Sequence, residues 1–258
     1  MRLDIYSVDT RIISLTAVMI VGSCSSLLVT GACIESGSAK VPNATKCLST
    51  ITASHQTMFY TLHVHMIVHV KDAESVASMV QLSSATFARH WNRRKKHEGS
   101  VWEHPYKSTI IQDGRHLLNC MRYVSLNMVR AGSVENPADW RWCGHDELTG
   151  ARSRYTVLDI EQMLQSLDMT SLDAFRRTYL TGIAELIERR QFSREAAWTE
   201  SLAVGDRTFV EQVARNTKGR SQFQYGTMAA DGDVWSVREY APTYDAVSRA
   251  KSGCKAPE

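Results

Sequence analysis

The sequence predicts an α+β fold, and three observations carry the prediction. Residues 58–70, MFYTLHVHMIVHV, are dense in β-branched and aromatic side chains, as a strand requires. Two later stretches, 73–97 and 115–129, space their apolar residues at the period of a helix. Between them VWEHPYKSTIIQ reads as a second strand, with Asp113-Gly114 as the turn after it.

At 258 residues the chain is long enough for one substantial domain with appendages, or for two small ones. A net charge of +3 does not by itself announce a nucleic-acid partner. The six cysteines (Cys24, Cys33, Cys47, Cys120, Cys143 and Cys254) include no C-x-x-C pair and no regular spacing, which argues against a disulfide framework or a cysteine zinc site. A reducing cytoplasm is the expected location.

Up to about Gln56 the chain is rich in Ser, Thr, Val and Ile and shows no clear period. Ile12 to Ile34 carries no charge and has the length of a bilayer span, but Ser, Thr and Gly dilute it, and Asp4 and Asp9 precede it. A buried or poorly folded segment is the preferred expectation, and a membrane anchor the rival.

In the strand at 58–70, Val64, Met66, Val68 and Val70 share one face, expected to be the core face. His63, His65, Ile67 and His69 share the other. In the helix at 73–97, Val76, Met79, Val80, Ser83, Phe87 and Trp91 recur at helical spacing. Its end gathers Arg89, Arg93, Arg94, Lys95 and Lys96 with no intervening acid. In the helix at 115–129, Leu117, Leu118, Met121, Val124 and Met128 form the apolar stripe. Tyr123 and Asn127 lie at i and i+4, and Ala131-Gly132 closes the helix. Helical patterns recur at 158–167, 172–190 and 208–215, and the polar, Gly-rich composition from 216 onward predicts a weakly ordered tail.

Two imidazoles at i and i+2 on a strand stand about 7 Å apart at their Cα atoms, a spacing at which both can grip one metal ion. On its own that triplet is more often an exposed half-strand, and a tyrosine on an amphipathic helix is more often core. Tyrosine is also a weak nucleophile, with an ordinary pKa near ~10, and a metal that polarises a phosphate reduces that handicap.

Three stretches, taken in order, resemble one family: His63-Val64-His65-Met66-Ile67-Val68, then NRRKKHEGSVWEHPYKSTII, then RHLLNCMRYVSLNMVRAGSVENPADWRW. They are similar to the REP-associated tyrosine transposases of the single-tyrosine HUH superfamily, densely so from Leu62 to Trp142. Trp198 to Val213 resembles the C-terminal helical part of some members. The resemblance implies a central antiparallel sheet flanked by helices, ferredoxin-like or RRM-like. It divides the chain into an atypical N-terminal segment (1–56), a catalytic core (57–150), a helical extension (151–215) and the tail (216–258).

The resemblance further implies that His63, His65 and Asn127 bind Mg²⁺ or Mn²⁺ and that Tyr123 is the nucleophile. The implied substrate is hairpin-bearing single-stranded DNA (repetitive extragenic palindromes), acted on by a monomer or homodimer without a small-molecule cofactor. Arg89, Arg93, Arg94, Lys95, Lys96, Lys107, Arg122 and Arg130 are the expected phosphate contacts, since cations neutralise a backbone without reading sequence. Trp91, Trp102 and Tyr106 are candidates for base stacking or for core. The chain departs from the family in three places. Its first strand is not recognisable in residues 1–56, Thr61-Leu62 replaces the Pro-Asn before the histidines, and Met128 replaces a proline. An unrelated N-terminus joined to a motif-dense remainder points to a frameshifted or truncated gene, so an inactive DNA-binding remnant is the alternative expectation.

Overall fold

The computed structural model describes residues 17–25, 45–49, 61–70, 73–102, 106–153, 156–217, 222–228 and 231–240. In chain order they form β1 (Ala17–Ser25), β2 (Thr45–Ser49), β3 (Thr61–Val70), α1 (Ala73–Lys95), β4 (Lys107–Ile111), α2 (Arg115–Ser125) and α3 (Asn127–Arg130). A 3₁₀ turn (Pro137–Asp139) leads to α4 (His145–Thr149), α5 (Ile160–Ser166), α6 (Leu172–Glu188), α7 (Ala197–Glu200), β5 (Ala203–Gly205), α8 (Arg207–Asn216), β6 (Gln222–Met228) and β7 (Asp231–Tyr240). The fold is α+β, with a mixed sheet ordered β2-β3-β1-β4-β5-β7-β6 and helices against it.

The expected antiparallel sheet is corrected at one joint. The pair β4–β5 runs parallel, with Ile110 opposite Ala203 and Ile111 opposite Val204. A parallel pair needs a long crossover, and residues 115–200 supply it as helices.

Strand alternation sends neighbouring residues to two cores. Ile67, Ile111 and Val204 join a cluster with Leu117, Met121 and Tyr123 of α2, Phe175 and Tyr179 of α6, and Trp198 of α7. Val68, Ile110 and Ala203 join Val76, Met79 and Val80 of α1 and Val210 and Val213 of α8. Both faces of β3 are therefore covered, and the histidine face is a core face as much as the valine face is.

The N-terminal segment contributes to this sheet. Ala17–Ser25, inside the uncharged run, is a strand wedged between β3 and β4. Met19 stands opposite Ile67 on one side and Thr109 on the other. A strand flanked on both edges tolerates a continuous run of apolar and small residues. β1 pairs along its length with the histidine strand. The other residues of 12–34 lie outside the described ones. Among the described residues no helix is long and apolar enough to cross a membrane.

The stretch from 216 also departs from expectation. β6 and β7 pair as a hairpin, and β7 adds to β5, so this segment completes the sheet. Val234 and Val237 are buried in opposite cores, a signal thinned by the polar residues around them.

Gly132 closes α3 as expected. At φ 68° its N–H reaches the Val129 carbonyl while the Ser133 N–H reaches that of Met128, the paired bonds of a Schellman cap. A Cβ there meets nothing within 4 Å, so Gly132→Ala is strained only through its backbone. Chemical denaturation should show it about 1 kcal/mol less stable than the parent.

Candidate functional site

Tyr123 lies on α2, the helix packed against the face of β3 that bears His65 and Ile67. The apolar stripe of α2 turns it inward. Its side chain is 7% exposed, between the guanidinium of Arg130, 4.0 Å from the ring centre, and Trp198, whose ring centre is 6.1 Å away. Trp198 is held in turn by its indole N–H donating to the Glu195 carboxylate. Burial raises the Tyr123 pKa above its ordinary value. Arg130 counters this, Glu195 and Cys120 add to it, and Arg194 opposes it. The phenol is thus protonated at neutral pH.

Asn127 follows across a short break at Leu126 (φ −81°, ψ 4°). Its Oδ1 accepts from Arg130 Nη1 at 3.1 Å, and Arg130 Nη2 donates to the Tyr123 carbonyl at 3.2 Å. The i, i+4 relation anticipated for one helix is thereby kept across two.

His65 is buried at 6% exposure on the tyrosine side of the sheet. His63 stands opposite Ser23 in the β1–β3 register, and its side chain lies outside the described residues. Among the described residues no three His, Cys, Asp or Glu side chains gather around a common point. The metal set expected from sequence is of another kind, two imidazoles and an amide. Its described members, His65 and Asn127, offer a nitrogen and an oxygen that suit a hard or borderline divalent cation.

The expected phosphate contacts divide in two. Arg89, Arg93, Arg94, Lys95 and Lys96 at the end of α1 are all exposed, as is Lys107 on β4. Arg122 is engaged within the protein. Its Nη2 donates to the Thr178 carbonyl at 2.7 Å, and it lies across Gly182 of α6, where a Cβ would strike the guanidinium. It ties α2 to α6, because a glycine in the facing helix leaves room for it. Arg130 is likewise occupied, by Tyr123 and Asn127.

Trp91 and Trp102 pack on Phe87 at 6.4 and 5.5 Å, and Trp102 donates to the Ser84 carbonyl. Lys95 covers Trp91 at 5.3 Å. Tyr106 packs at the edge of the α1 core, and burial raises its pKa.

Sequence reasoning missed the polar chain behind the tyrosine helix. The Tyr179 hydroxyl joins Ser125 Oγ at 2.7 Å to His145 Nδ1 at 2.9 Å, the tautomer of the imidazole setting which of the two donates. Burial lowers the His145 pKa, with Asp146 opposing. The folded protein therefore takes up the proton at lower pH than the unfolded chain, whose value is near 6.5. Stability is full above that value and is lost as pH falls below it. Melting curves should fall more steeply from pH 7 to about pH 5.5 for the parent than for His145→Asn.

Set beside known proteins, the chain matches no family model, no curated protein and no solved structure.

Proposed function

We propose that this chain is a REP-associated tyrosine transposase of the HUH type, built on a ferredoxin-like core with a C-terminal extension. It cleaves and rejoins hairpin-flanked single-stranded DNA. The observation that carries this reading is the meeting of the histidine face of β3 with the tyrosine helix in one cluster on one side of the sheet. The motif-dense stretch from Leu62 to Trp142 supports it from the sequence side.

In this reading Tyr123 Oη attacks the scissile phosphorus as its proton passes to solvent. The bond from phosphorus to the 3′ oxygen breaks, a 3′-hydroxyl leaves with a proton, and the 5′-phosphate stays on the tyrosine. A second 3′-hydroxyl reverses the step, so joining needs no nucleotide triphosphate. Mg²⁺ or Mn²⁺ held by His63, His65 and Asn127 would polarise the phosphate. The exposed cations at the end of α1, with Lys107, supply the charge that a single strand requires.

The alternative is a DNA-binding remnant without cleavage, favoured by the burial of Tyr123 and His65. Incubation with labelled hairpin-bearing single-stranded DNA separates the two. A metal-dependent covalent protein–DNA band on a denaturing gel supports the transposase. Retarded DNA on a native gel with no covalent band, across several hairpins and both metals, overturns it in favour of the remnant.

A further inference from the structure

Arg130 makes three contacts from one guanidinium: the Tyr123 ring face, the Tyr123 carbonyl and Asn127 Oδ1. Its Nε is buried and without a partner among the described residues. None of the ion pairs among those residues includes Arg130. Glu195 is near enough to act on its charge but forms no ion pair with it, so the ring face and two hydrogen bonds are what hold the guanidinium.

The same contacts constrain Asn127. Arginine only donates, so the Asn127 atom facing it must be the amide oxygen. That bond fixes the flip of the amide and occupies one lone pair of Oδ1, leaving the second available. The other arm of the same group reaches back across the break at Leu126 to the residue carrying the phenol.

We propose that Arg130 is a positioning residue, which presets the Asn127 oxygen for a divalent cation and locks the Tyr123 ring at a fixed distance from it. The inference rests on the transposase reading and adds a residue to it. Groups behind a metal ligand typically set affinity by ~10-fold to 100-fold.

The test is Mn²⁺ binding to the full chain without DNA, read from the electron paramagnetic resonance of the free ion. The parent is compared with Asn127→Ala, Arg130→Met and Arg130→Lys, and thermal melts report folding. The expected result is parent binding that Asn127→Ala abolishes and Arg130→Met weakens about tenfold. Arg130→Lys should fall between, because an ammonium keeps the charge but not the fork. If Arg130→Met does not fold, Arg130→Lys alone carries the comparison, and a loss of threefold or more supports the proposal. Parent binding left within twofold by every folded Arg130 variant overturns this inference and leaves the transposase reading standing. No Mn²⁺ binding by the parent overturns the metal site and the inference with it.

Discussion

Tyr123→Phe is expected to abolish the covalent protein–DNA product, a loss of at least ~10³-fold, while leaving the melting temperature almost unchanged. None of the hydrogen bonds among the described residues involves the Tyr123 hydroxyl. The ring, by contrast, is gripped by Arg130 and Trp198, and phenylalanine keeps both contacts. The substitution therefore separates chemistry from packing more cleanly than removal of a ligand would. Because burial raises the phenol pKa, the parent reaction should also quicken as pH climbs from 7 toward 9, in proportion to the phenolate present. Quantified adduct bands across that range check the slope. A product that persists in Tyr123→Phe would assign the nucleophile elsewhere.

The second large effect is expected at Glu147, on α4. Its side chain is 3% exposed and collects the backbone N–H groups of Val157 and Leu158, at 2.9 and 2.7 Å, together with Arg152 at 3.4 Å. A carboxylate holding charge-assisted bonds in a buried position is costly to remove, because its donors lose their acceptor together. Glu147→Ala should cost about 3 kcal/mol, or roughly 6–12 °C in melting temperature. Glu147→Gln should lose about half of that, since one oxygen remains to accept. The same helix carries His145, so the change also loosens the chain through Tyr179 to Ser125 behind the tyrosine helix. A shift below 2 °C for the alanine variant would show that water replaces the carboxylate without loss.

Elements whose residues face one core with a clear period were legible in the sequence. β3, α1, α2, α5, α6 and α8 fall within a few residues of their expected bounds, because Val76, Met79 and Val80, or Leu117, Met121 and Val124, repeat as helices do. β1 was not legible. A strand enclosed on both edges has no polar side to alternate with, and its run of Val, Ile and small residues equally fits a bilayer. β5 is three residues long, too short for any period; β6 is mostly exposed, and β7 buries only Val234, Ser236 and Val237 among polar neighbours. Of the candidate residues, Tyr123, Asn127, His63 and His65 came from the resemblance, since spacing alone read equally as core or as an exposed half-strand. Trp198, Glu195 and Arg194 reach Tyr123 from more than seventy residues away, and nothing local signals the encounter. The resemblance of Trp198 to Val213 to family members was the one available hint. The contact of Arg122 with α6 was not legible, because the glycine that makes room for it lies sixty residues further along the chain.

The parallel pairing of β4 with β5 has a consequence for how the chain emerges during synthesis. The bond from Thr109 Oγ1 to the Ser201 carbonyl spans 92 positions, and the Gln112–Asp206 contacts span 94. The histidine strand, the tyrosine helix and β4 are therefore translated well before the strand that covers the edge of β4. At ~5–20 residues per second the ribosome leaves that edge open for several seconds. An uncovered strand edge is a template for pairing with another chain. Closing so long a loop also places the final step among the slower folding events. Crowded synthesis should thus favour aggregation through β4, and slower initiation should raise the yield of native protein.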